Sequence, residues 1–142
     1  MKKKSVKKAT PAMMGTCSSG LAKALGMRLL SMSRGSVRGR MPWSPQASQQ
    51  VGLIHGGSLA ALADTTAAVG TIALTPKGMR PVTVELKINY FGNIRSGSVD
   101  CEALLLHHGH RSMVWEARIT ETGKKDLLAV SIITYLLIPQ GA

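Results

Sequence analysis

HGGSLAALAD, residues 55–64, opens a run that is rich in alanine and free of proline as far as Leu74, and that run decides the fold. Its apolar positions nearly circle a helix of 3.6 residues per turn, so Gly56 to about Leu74 is predicted as a central helix enclosed by other elements. The segment TPKGMRP, residues 75–81, ends it with two prolines and a glycine. Asp64 is the anomaly inside this helix. Its neighbours one turn away, Ala60, Ala61, Ala67 and Ala68, offer no donor and no base. A short carboxylate also competes with the helix for backbone groups, so propensity does not account for it. Buried without a partner it would cost several kcal/mol or take up a proton. The expectation is that something beyond the local helix, a substrate or a partner subunit, meets Asp64.

Downstream the period changes from 3.6 to two. Val82, Val84, Leu86, Ile88 and Tyr90 fall on one face of a strand, and Thr83, Glu85, Lys87 and Asn89 on the other. GSVDCEALLLHH (97–108), SMVWEARITET (112–122) and LLAVSIITYLLIP (127–139) follow, separated by the turn segments GNIRSG, HGHR and GKKD. An antiparallel meander is the economical arrangement. Upstream, LAKALG (21–26) reads as a short helix stopped by Gly26. MRLLSMS (27–33) and SVRGRMPW (36–43) read as a hairpin turning at Arg34 and Gly35, with imperfect alternation, and SPQASQQVG (44–52) as a loop. One helix facing several strands implies an α+β fold in which the sheet curls about the helix.

A length of 142 residues suits about one domain, and 44% hydrophobic content with two Trp, two Tyr and one Phe gives a core of small aliphatics. The longest apolar stretch, residues 127–139, is too short for the ~20 residues that cross a bilayer, so no membrane insertion is expected. The net charge of +11 is uneven. Residues 1–50 hold ten Lys and Arg and no acid, while residues 51–142 hold eight bases and seven acids. Residues 1–17, beginning MKKKSVKK, are therefore expected to be a solvated, disordered basic tail, with residues 18–142 forming the single domain. Aromatics are not interleaved with the bases, which argues against specific nucleic-acid binding. The start lacks a continuous apolar core, which argues against secretion and for a cytoplasmic protein. Cys17 and Cys101 sit 84 positions apart without metal-site spacing and are expected to be reduced thiols.

Helix, strand pair, loop, HGGSLAALAD, and a meander containing VTVELKINYFGNIRSG and ending AVSIITYLLIP together resemble the hotdog-fold acyl-CoA thioesterases of the phenylacetate-degradation (PaaI-like) type. The resemblance covers residues 18–139. It implies a curled antiparallel sheet wrapped around a long central helix, and hydrolysis of an acyl-CoA thioester carrying an aryl or medium-chain acyl group. It further implies that the Gly56 amide binds the thioester oxygen, that Asp64 is nucleophile or general base, and that Gln49 hydrogen-bonds the thioester or the lytic water. Thr83 aligns with a hydroxyl that orients water in some relatives, although an ordinary outward Thr is the alternative. Homodimers with the site at the interface, often paired into tetramers, belong to the same resemblance.

Elementary physics agrees with these roles. A helix N-terminus presents unsatisfied N–H groups and about half a positive charge, and Gly56 with Gly57 leaves the backbone bare to an acyl carbonyl. Paired glycines also serve tight loops, so the reading depends on the acid. Asp64 lies eight residues beyond Gly56, roughly 12 Å along the axis, which one Asp side chain cannot span. A shared thioester therefore requires a second, antiparallel copy of the helix across a twofold axis. His55 is either a general acid or a structural donor that fixes the loop. Arg80, Arg95 and Arg111 stand at turns where guanidinium groups could pair with the phosphates of coenzyme A. The imidazoles of HHGHR (107–111) lie at a turn and would point apart, so no metal is expected, and no cofactor beyond the coenzyme A of the substrate. The alternative function is a hotdog protein that binds acyl-CoA or another ligand without hydrolysing it.

Overall fold

The computed structural model describes residues 17–141, so the basic tail lies outside the described residues except for Cys17. The chain runs α1 (Gly20–Ala24), β1 (Arg28–Ser33), β2 (Ser36–Pro42), a single 3-10 turn (Pro45–Ala47), α2 (Gly56–Leu74), β3 (Met79–Tyr90), β4 (Ser98–His108), β5 (Ser112–Glu121) and β6 (Leu127–Pro139). The long helix has the predicted bounds, and the hairpin turns at Arg34 and Gly35, where Gly35 takes a φ of 79°. A register slip between Leu29 and Ser31 accounts for the imperfect alternation of β1. All six strands form one antiparallel sheet in the order β1-β2-β4-β5-β6-β3, so the expected hotdog architecture is present.

Strand order departs from a simple meander. β4, β5 and β6 do follow one another, but β3 pairs with β6 at the far edge instead of with β4. The connection at residues 91–97 carries the chain across the end of the fold, where the Ile94 carbonyl accepts from the Ile54 N–H just before α2. That crossing leaves α2 lying in the concave face of the sheet.

α2 packs through the arc holding Leu59, Leu62, Ala63, Thr66, Ala67 and Gly70, all buried. Two glycines let helix and sheet approach. A Cβ on Gly70 would overlap the indole of Trp115, and one on Gly39 would stand 2.6 Å from Thr66 Oγ1. Cys101 is buried and free, and burial, only partly offset by the Thr66 hydroxyl, pushes its thiol up to about 12. Cys17 is also free.

The helix is not enclosed on every side. Ala61, Thr65 and Ala68 are only partly buried, and Ile72 is 53% exposed, so its own sheet covers one arc and leaves an apolar stripe open. By length and composition α2 could cross a bilayer, but half of it is buried inside the fold, as befits a core helix.

Candidate active site

The approach to α2 is anchored residue by residue. The Trp43 indole N–H donates to the Gly52 carbonyl at 3.0 Å, Arg95 Nη1 to the Val51 carbonyl at 2.6 Å, and Asn93 Nδ2 to the Ile54 carbonyl at 3.0 Å. Gln49 closes this loop through its backbone, its N–H donating to the Leu53 carbonyl and its carbonyl accepting from Gly52. The Gln49 side chain is exposed and makes no hydrogen bond with the described residues.

His55 is the N-cap of α2, and its Nδ1 accepts from the Gly57 N–H at 2.8 Å. His55 thus has a structural role at the loop, as one of the two expected readings had it, but Nδ1 accepts where a donor was expected. An accepting Nδ1 leaves the proton of the neutral ring on Nε2. The Ser58 and Leu59 amides both donate to the His55 carbonyl. The Leu59 bond is the first of the helical ladder; of the four amides before it, His55 donates to the Ala47 carbonyl, Gly57 to His55 Nδ1 and Ser58 to the His55 carbonyl, and the Gly56 N–H alone has no acceptor among the described residues. The pair of glycines therefore supplies one available amide, not two, because that of Gly57 is held by His55.

Gly56 itself is crowded on one side. A Cβ there would stand 3.1 Å from Tyr90 Cζ, and the Tyr90 hydroxyl donates to the Gly56 carbonyl at 2.8 Å. The two-residue period marks Tyr90 only as a member of one face of its strand.

Two turns along, Asp64 is met from beyond its helix, as expected, but by strands of its own chain where a substrate or a partner subunit was the candidate. The Thr83 hydroxyl lies 3.0 Å from Asp64 Oδ1. The Tyr135 hydroxyl lies 2.8 Å from the same Oδ1 and 2.8 Å from the Asp64 backbone carbonyl. Asp64 Oδ2 accepts nothing from the described residues. Tyr135 is buried, and burial together with the adjacent Asp64 carboxylate pushes its phenol pKa up, so it stays a donor.

A bulge brings Thr83 to this place. Thr83 pairs with Tyr135 and Glu85 with Thr134, leaving Val84 as the extra residue. Beyond the bulge Leu86, Ile88 and Tyr90 face the helix opposite Ile133, Ser131 and Ala129. Before it the phase is reversed, so Thr83 points inward while Val82 turns outward opposite Leu136 and Val84 is 50% exposed. The unbroken alternation read from the sequence fails at this step.

The three arginines are divided. Arg95 lies with the loop at the start of α2. Arg80, opposite Ile138 on β6, and Arg111, whose carbonyl accepts from the Leu137 N–H, lie at the other end of the sheet. One protomer therefore does not gather all three around one ligand. No three His, Cys, Asp or Glu side chains converge as metal ligands among the described residues.

Comparison with known proteins fits this geometry. The thioesterase superfamily model matches residues 51–127, a span holding α2, β3, Gly56, Asp64 and Thr83. The proofreading thioesterase EntH of Klebsiella pneumoniae is 34% identical over 92 residues, 65% of this chain and 67% of that protein. The 1,4-dihydroxy-2-naphthoyl-CoA hydrolase of Listeria monocytogenes is 27% identical over 115 residues, 81% of this chain and 93% of that protein. The solved structure of thioesterase HI1161 from Haemophilus influenzae is similar with a TM-score of 0.86 at 26% identity, covering 96% of this chain and 95% of that one. With a single available amide at the head of α2 and a hydroxyl-held carboxylate in its middle, the chain belongs to the thioesterase superfamily and is a thioester hydrolase of the hotdog fold.

Proposed function

We propose that this protein hydrolyses acyl-CoA thioesters at two identical sites, each built from Gly56 of one copy and Asp64 of another. The observation that carries the reading is the pair of unused groups on α2, the Gly56 N–H and Asp64 Oδ2, separated by two helical turns, roughly 12 Å. Two antiparallel helices across a twofold axis bring one group of each kind to one thioester. Support comes from the surfaces beside them. β3 is a twelve-residue edge strand with one side unpaired, and the open stripe of α2 through Ile72 adjoins it.

In this scheme the Gly56 N–H polarises the thioester carbonyl and holds the oxyanion that develops on it. Asp64 Oδ2 either attacks the carbonyl carbon or takes a proton from a water that attacks it, with Gln49 orienting the water. The C–S bond then breaks and coenzyme A leaves as its thiolate; where Asp64 is the nucleophile, water then hydrolyses the acyl anhydride left on it to the free acid and regenerates the carboxylate. A thiol of pKa about 8.5 leaves without help from a strong acid, so His55 is left as a cap. The scheme uses neither metal nor redox group, and it goes with a cytoplasmic location. The relative that acts on dihydroxynaphthoyl-CoA supports an aryl acyl group, with a medium chain as the other candidate.

Mixing two inactive variants tests the shared site. Asp64→Asn removes the acid. Gly56→Pro removes the N–H at a backbone position that accepts Pro, since Pro suits the first position of a helix and His55 already has the extended ψ of 136° that precedes Pro, while its ring presses on Tyr90, 3.1 Å from the added Cβ. Each variant alone should release no thiol from acyl-CoA. Unfolded and refolded together in equal amounts, they should recover about one quarter of wild-type turnover, because half the dimers hold one intact site. No recovery from a mixture of confirmed heterodimers would overturn the composite site, and turnover by Asp64→Asn alone would overturn the role of the acid.

A further inference from the structure

We propose that Tyr90 is a positioning residue that fixes the Gly56 amide in the direction needed to hold the oxyanion, acting from β3 through the Gly56 carbonyl. The inference rests on Gly56 being the oxyanion donor.

A helix that begins Gly-Gly is a poor place to keep a rigid donor. Each glycine costs about 1 kcal/mol relative to Ala in a helix and leaves the backbone free to swing, so such a start frays. An oxyanion donor acts only if it is already aimed before charge develops. The free N–H belongs to the His55–Gly56 peptide unit, and the next unit, Gly56–Gly57, resolves this conflict by being held at both poles from outside the helical ladder, which fixes the Gly56 Cα that the two share. Its N–H donates to His55 Nδ1 at 2.8 Å, and its carbonyl accepts from the Tyr90 hydroxyl at 2.8 Å. The two bonds polarise the same peptide and strengthen one another. The Tyr90 ring also covers Gly56, leaving Cζ, Oη and Cε1 between 3.1 and 3.3 Å from where a Cβ would be. Gly56 can thus neither lift away from α2 nor rotate toward β3.

Tyr90 is itself well anchored. It is the last residue of β3, opposite Ala129, and the next two amides, of Phe91 and Gly92, both donate to the Leu128 carbonyl. Partial burial raises the phenol pKa, so the hydroxyl keeps its proton through neutral pH.

Tyr90→Phe keeps the ring over Gly56 and deletes only the hydroxyl. Steady-state hydrolysis of benzoyl-CoA and hexanoyl-CoA, followed as free thiol, is compared for wild type, Tyr90→Phe and Gly56→Pro, with melting temperature and dimer content measured alongside. The expected result is a fall of about tenfold in kcat by the same factor for both substrates, with KM within about twofold and folding unchanged. An equal loss for two unlike acyl groups places the effect at the carbonyl they share. Wild-type kcat in Tyr90→Phe, or a loss confined to KM or to one substrate, overturns the role of Tyr90 while Gly56→Pro remains inactive. Full turnover by Gly56→Pro, or none by wild type on either substrate, overturns the donor assignment itself, and this inference with it.

Discussion

Thr83 reaches Asp64, 19 residues away in sequence, because β3 slips by one residue against β6 at Val84. Without that slip the Thr83 hydroxyl would point to the convex face of the sheet, and Asp64 Oδ1 would depend on Tyr135 alone. The bulge thus gives Oδ1 a second donor beside Tyr135, while Oδ2 is left open.

Thr83→Val preserves the branched shape and removes the donor. Hydrogen bonds to a charged group contribute about 1.5–3 kcal/mol, so turnover should fall about tenfold or more as the carboxylate loses its fixed orientation. Thr83→Ser should retain most of it. Equal activity of the Val and Ser variants in thiol-release assays would show that the hydroxyl does not position Asp64.

Gly70→Ala should destabilise the fold by about 1–3 kcal/mol, although Ala is the better helix former by about 1 kcal/mol. The added methyl would enter the space of the Trp115 indole, which is fully buried, with Val37 on its other side. Chemical denaturation midpoints measure this. An unchanged or raised midpoint would show that Trp115 can move aside.

Asp100 links β4 to β2. Arg40 Nε and Nη2 reach its two oxygens at 2.6 and 2.9 Å, Thr122 adds a third donor, and Arg40 foremost holds the carboxyl below its usual range. A carboxyl whose folded pKa is depressed stabilises the protein above its unfolded pKa, and that contribution is lost as pH falls through the folded value. Asp100→Asn should therefore cost about 1 kcal/mol at neutral pH, the modest figure of a partly exposed pair, and nothing once wild-type Asp100 is protonated. Melting curves of the two proteins should converge in acid; a constant gap would mean that the pair contributes through packing.

The legible parts of the fold were those written locally. The bounds of α2 follow from a glycine pair at one end and two prolines at the other, and those of β6 from a mainly apolar run, interrupted by Ser131, Thr134 and Tyr135, between GKKD and Gln140. Gly56 and Asp64 were visible as candidates because a bare helix start and an acid among alanines are both conspicuous. What could not be read depends on pairings distant in sequence. The Val84 bulge is a property of β3 against β6, since nothing in VTVEL interrupts the alternation. Tyr135 donates to a residue 71 positions away, from a mainly apolar strand in which nothing local marks its hydroxyl for a task. Tyr90 was hidden for the same reason: its position satisfied the pattern of an inward strand residue, and only the distance to the Gly56 carbonyl gives its hydroxyl a task. His55 was placed correctly beside the helix start, but sequence does not say whether a ring nitrogen gives or accepts.

The interlock between Gly70 and Trp115 constrains how this chain can diverge. Trp115 Nε1 has no hydrogen-bond partner among the described residues, so shape alone holds the indole in place. A lineage can therefore exchange Trp115 for Phe at modest cost, shedding a buried unpaired N–H, and only afterwards admit a side chain at position 70. The reverse order passes through an overpacked intermediate. Descendants of this sequence should carry a large residue at one of the two positions and a small one at the other, with few chains caught between.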